Sequence, residues 1–100
     1  MLNDSPQVAA IRARYKASFV EKKQMIDSYL SQFDNESERG EALPAFHAEL
    51  HKLAGSSGMY GYDDVSVLCR DVMQHINNSR IDDVLSDTKK LSELFGGYID

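Results

Sequence analysis

Apolar residues recur at steps of three and four along almost the whole chain, and no segment sustains a two-residue alternation. That period returns side chains to one face of an α-helix, so each run needs other helices to cover its apolar stripe. Val8, Ile11, Tyr15, Phe19, Ile26, Tyr29 and Phe33 form a first stripe, widened by Met25 and Leu30. Ser5 and Pro6 suit its start, serine as the cap and proline at the first helical position. The polar stretch 34-DNESERG-40 predicts its end near Phe33.

A second helix is expected to begin at Glu38 or Glu41 and to run to about Ser57, with Leu43, Phe46, Leu50, Leu53 and Ser57 facing inward. Pro44 is tolerable in a first turn but falls late enough to bend a helix that starts at Glu38. A third helix opens after a glycine-rich turn, with Asp63 and Asp64 suiting its positive N-terminal end and Val65, Leu68, Cys69, Val72 and Ile76 as its stripe. The cluster 77-NNS-79 interrupts the pattern. A fourth helix then carries Ile81, Val84, Leu85, Leu91, Leu94, Phe95 and Tyr98, with Gly96 and Gly97 fraying its end. Four amphipathic helices joined by short loops predict an all-α fold, an antiparallel up-down-up-down four-helix bundle forming a single domain over residues 1–100.

Composition narrows the function classes. With 42% hydrophobic and 27% charged residues the chain has the balance of an ordered globular domain. Cys69 is the sole cysteine, which excludes an intrachain disulfide and a cysteine-rich zinc site. The formal net charge of −5 argues against nucleic-acid binding, since neutralising phosphates needs clustered Lys and Arg. The basic run 12-RARYK-16 with Lys22 and Lys23 reads as a solvated helix face. No apolar run has the ~18 residues of a membrane span, and the N-terminus lacks the basic-then-apolar order of a signal peptide. A cytoplasmic protein that engages no membrane is expected.

The stretch 50-LHKLAGSSGMYGY-62 then stands out, because it places glycines and serines where a helix favours alanine or leucine. On a helical wheel His51 lies roughly 120° from the centre of the second stripe, on the exposed side. Its neighbours one turn away are His47, Ala48, Ala54 and Gly55, and Gly58 lies two turns on. Gly58 and Gly61 have an ordinary explanation as the end of one helix and the turn into the next. Gly55 has none, since it precedes the turn and costs about 1 kcal/mol relative to alanine. An exposed imidazole beside side-chain-free backbone is a surface on which another protein can press close. Imidazole, with an ordinary pKa of ~6.5, is a good nucleophile when neutral and accepts a phosphoryl group presented in line. The chain has no Gly-rich phosphate cradle followed by Lys and Ser/Thr, so such a group would come from another protein and not from a nucleotide.

The segment 51-HKLAGSSGMYGY-62, followed by an apolar-periodic helix, resembles the histidine phosphotransfer (HPt) domain of multistep phosphorelays. The family pattern is a histidine, an apolar residue two later, a glycine four later, small residues next, and a glycine ten later. His51, Leu53, Gly55, Ser56, Ser57 and Gly61 match it. The resemblance implies that His51 exchanges a phosphoryl group with an aspartate on the receiver domains of response regulators or of a hybrid sensor kinase. It implies that Mg²⁺ belongs to the receiver, so no cofactor or metal is expected on this chain. The cleared surface around His51 makes His47, Ala48, Lys52, Ala54, Gly55 and Gly58 the expected partner-facing residues, and the resemblance implies that the receiver approaches closest at Gly55. The expected protein is a monomeric phosphocarrier rather than a turnover enzyme, standing alone or forming the terminal domain of a hybrid kinase. Two positions depart from the pattern: a lysine common three residues after the histidine is Ala54 here, and a Gln or Glu common 22 residues after it is Met73. Lys52 and Gln74 are the nearest substitutes.

Three other readings compete. In 47-HAELH-51 two histidines stand four apart, yet Glu49 is not at the position of the general base in H-E-x-x-H, and His75 is the only further histidine. A bundle of this kind can also serve as an unphosphorylated docking or inhibitor module for receivers or kinases; His51 retained together with Gly55 weighs against that. Met25, Met59 and Met73 at helical spacing read as core filler rather than as a helix-binding groove.

Overall fold

The computed structural model describes residues 5–99; residues 1–4 and 100, part of the expected domain of 1–100, lie outside the described residues. Five helices follow one another: α1 (Pro6–Ala17), α2 (Phe19–Phe33), α3 (Glu36–Met59), α4 (Asp63–Asn77) and α5 (Ile81–Tyr98). No strand occurs among the described residues. Helices α2 to α5 form the antiparallel four-helix bundle, α2 and α4 each packing between α3 and α5; with α1 included the molecule measures 47 × 24 × 18 Å.

The single first helix expected from Ser5 to Phe33 is two. Ser18 ends α1: its N–H bonds Tyr15 O at 3.0 Å and its hydroxyl donates to the same carbonyl at 2.5 Å. A serine that competes for a backbone acceptor in this way tightens and interrupts a helix. Before the break, Ser5 caps α1 by accepting from Val8 N at 3.2 Å, with Pro6 at the first position. Helix α1 contributes no fully buried residue, and Ile11 is 43% exposed, so the first stripe turns inward only from Phe19 on. The reason is that α1 packs on α2 and, through Arg12 and Tyr15, on the α3–α4 turn, and is not one of the four helices that enclose the core.

Helix α3 starts earlier and ends later than expected. Asn35 caps it, its Oδ1 accepting from Ser37 N at 3.0 Å, and Glu36 and Glu38 lie in the first turn where the helix dipole favours acids. Pro44 therefore sits inside the helix, where it cannot donate to the Gly40 carbonyl. The far end closes in a Schellman turn: Gly61 takes φ +86°, Tyr62 N bonds Ser57 O at 2.8 Å, and Gly61 N bonds Gly58 O at 3.2 Å.

The core follows the helical stripes. Phe19, Phe33, Phe46 and Phe95 are buried with Ile26, Leu50, Val65, Val72, Val84 and Leu91, and each such large side chain contributes roughly 1.5–3 kcal/mol. Leu43, Leu68, Ile76 and Leu85, expected in the core, are half-buried at its edge. At the α3–α4 turn the rings of Tyr15, Phe19, Tyr60, Tyr62, Phe95 and Tyr98 pack edge-on or tilted, at centroid distances of 4.6–5.9 Å. Tyr15 Oη and Ser56 Oγ are 2.7 Å apart, and Arg12 Nε donates to Tyr60 O at 2.9 Å. These contacts clamp the C-terminal turns of α3 from the outside.

Candidate functional site

His51 lies in the C-terminal half of α3 with its side chain exposed, and no hydrogen bond or ion pair holds its ring among the described residues. The backbone beneath it is anchored, because Leu50 and Leu53 on either side are buried in the core. Ala48, Lys52 and Gly55 share the exposed side. Lys52 Nζ stands 4.0 Å from Glu49 Oε1, a loose surface pair.

Ala54 is a correction. It is buried to 3% exposure within the core cluster and offers its side chain to no partner. On the wheel it falls about 50–60° from the stripe centre, whereas Gly55 falls about 150–160° away. The residue three after His51 turns in and the one four after turns out. The family's lysine place thus lies on the inward side of this helix.

The two glycines differ. A Cβ built on Gly55 meets nothing within 4 Å, so no packing inside this chain requires its absence. A Cβ on Gly58 comes 3.3 Å from Ser66 Oγ, and that hydroxyl donates to Ala54 O at 2.8 Å. Gly58 is accounted for by the close approach of α4. The Gly58–Ser66 contact also sets the register of the antiparallel pair: seven residues away from it along each helix, His51 stands opposite Met73. Met73 is half-buried against the core, and the adjacent Gln74 is exposed.

Beside Gly55 a groove of about 450 Å³ opens between α3 and α4. Gly55, Gly58 and Ser66 line it, with Met59, Val67 and Arg70 at its rim. Met59 is 65% exposed and Val67 54%. The assignment of Met59 to core filler is therefore corrected: it is the last residue of α3 and points away from the bundle. Sequence reasoning also missed Val67 and Arg70. The signal for Val67 was present, an apolar residue off the α4 stripe.

The other histidines go elsewhere. His47 is half-buried, its Nε2 enclosed without a partner, and it lines a separate groove with Gly40, Leu43, Pro44, Ile76 and Asn77. His75 Nε2 lies 3.1 Å from Asp87 Oδ2 on α5. No group of three or more His, Cys, Asp or Glu side chains is gathered to hold a metal among the described residues. Nor is any helix there long and apolar enough to cross a membrane.

What remains is an exposed imidazole on a core-anchored helix, a bare backbone patch one turn away, and a groove rimmed by Met59, Val67 and Arg70. The arrangement suits a nucleophile served by a docked macromolecule rather than by an enclosed small substrate. Compared with known families, the chain matches the sequence model of the Hpt domain over residues 11–95. No curated protein and no solved structure gives a match.

Proposed function

The chain belongs to the Hpt domain family, and from that premise we propose that His51 is its phosphoryl carrier, exchanging the group with aspartates of receiver domains. The family assigns a phosphotransfer-type role in phosphorelays, in which Hpt domains interact with receivers and kinases. The observation that carries the finer reading is the pairing of an exposed His51 with a Gly55 that no internal contact requires.

In the forward step the lone pair of one imidazole nitrogen forms a P–N bond with the phosphorus of an aspartyl phosphate. The P–O bond to the aspartate breaks, and the carboxylate leaves with the electron pair. The ring proton on the other nitrogen stays or passes to water. Transfer onward is the same step reversed on a second aspartate. The chain's own contribution is positioning: α3 holds the ring in the open, and Gly55 lets the donor's backbone approach until nitrogen and phosphorus are in line. The metal that neutralises charge belongs, on this reading, to the receiver.

The test is incubation with receiver domains charged from labelled acetyl phosphate. Acid-labile, alkali-stable label is expected on the wild-type chain and none on His51→Gln. That variant keeps its helical circular dichroism and its stability within about 0.5 kcal/mol, because the site is exposed. Label persisting on His51→Gln overturns the assignment. Receivers that bind firmly without transferring label point instead to the docking-module reading.

A further inference from the structure

We propose that Arg70 is the residue by which this surface recognises its partner: its guanidinium pairs with a carboxylate of the receiver domain that docks over Gly55. The inference rests on the reading of His51 as the carrier and adds to it the charge that selects the partner.

Arg70 is exposed on α4 at the rim of the groove that Gly55 and Gly58 line. It makes no ion pair or hydrogen bond to any described residue, whereas Lys52, the other cation near His51, faces Glu49. In the register set by Gly58 and Ser66, Arg70 stands opposite Ala54, one helical turn from the level of His51 and next to Gly55. The cation therefore sits where the partner's backbone comes closest, displaced about 5 Å along the axis from the reacting ring. That placement favours a carboxylate fixed on the partner over the phosphoryl group in transit.

The surroundings strengthen the case. The one acid lining the groove, Asp63, lies seven residues earlier on α4, about 10 Å along the helix, too far to neutralise Arg70. Between them Val67, with Met59 across from it, presents exposed apolar surface. A docked partner covers these side chains and excludes water from the guanidinium, which raises the worth of a matched carboxylate and the cost of a mismatch. With a formal net charge of −5 the chain as a whole repels acidic surfaces, so a cation at this groove without an ion pair among the described residues favours a carboxylate settling there.

The experiment uses the full chain and the receiver domain that takes phosphate from it fastest. Binding is measured in a His51→Gln background, where no transfer intervenes, at low and high salt. Single-turnover transfer is measured with His51 intact. Arg70→Ala is expected to weaken binding about tenfold at low salt, with the difference shrinking as salt rises, and Arg70→Glu to weaken it further. Arg70→Lys should recover part of the loss. The transfer rate at saturating receiver stays at the wild-type value. Unchanged binding in Arg70→Ala overturns the proposal; so does a fall in the saturating rate with binding intact, which would put the cation on the phosphoryl group. Failure of the carrier reading is seen separately, as receivers that bind but never pass label. A panel of receivers that neither binds nor transfers overturns the Arg70 proposal as well.

Discussion

Tyr98 near the end of α5 donates a 2.7 Å hydrogen bond to the Asp64 carboxylate in the first turn of α4. The other oxygen of Asp64 accepts from Val65 N at 2.8 Å, so one carboxylate serves the start of α4 and ties it to the close of the bundle. The bond lies at the edge of the aromatic cluster that braces the α3–α4 turn beyond the groove.

That bond gives stability a pH dependence at the alkaline end. The hydrogen bond to Asp64, then burial, raises the Tyr98 phenol from its ordinary 10.0 to about 12. The folded chain thus holds the phenolic proton more tightly than the unfolded one. The contribution is whole below pH 10 and is lost as pH climbs to about 12. Urea unfolding across that window should show wild type losing more stability than Tyr98→Phe. Parallel pH profiles for the two would contradict the coupling.

Gly55 separates what the fold needs from what a partner needs. Since a Cβ there meets nothing within 4 Å, Gly55→Ala is expected to stabilise the chain by about 0.5–1 kcal/mol. Gly55→Gln should fold as well and yet slow phosphotransfer, the larger side chain standing where the receiver approaches. A midpoint of urea unfolding below wild type in Gly55→Ala would reveal an internal role for the glycine. An unaltered transfer rate in Gly55→Gln would remove the argument for close approach.

Ser79 closes α4 in a left-handed conformation, φ 56°, with Arg80 N bonding His75 O at 2.9 Å. Only glycine adopts that region without steric cost from Cβ. Ser79→Gly is therefore expected to raise stability by about 1 kcal/mol, seen as a higher urea midpoint at an unchanged slope. A lower midpoint would mean that the serine side chain contributes more than its backbone costs.

Much of the bundle was legible in single helices. Phe46, Leu50, Leu53 and Ser57 are buried as their spacing implied, and Val65, Cys69 and Val72 likewise. His51 was placed outward by the same wheel, and so was Gly55. Ala54 departs from expectation: although only three residues from His51, it turns inward on the same wheel and is buried. Met59 departs in the opposite direction, expected as core filler but falling opposite the stripe and exposed. The break at Ser18 was hidden because serine in a helix is neutral by composition, and only its bond to the Tyr15 carbonyl interrupts the turn.

The sequence by itself determined which segments are helical, which side of each is apolar, and that one imidazole faces outward beside bare backbone. Those are properties of period and propensity, contained within a single segment. Only the tertiary structure decided that α1 lies largely uncovered, that Gly58 is there for Ser66, and that Arg70 and Val67 of α4 flank Gly55 of α3. These depend on the register between helices, which contacts such as Ser66 against Gly58 fix across the bundle and no pattern along one helix encodes.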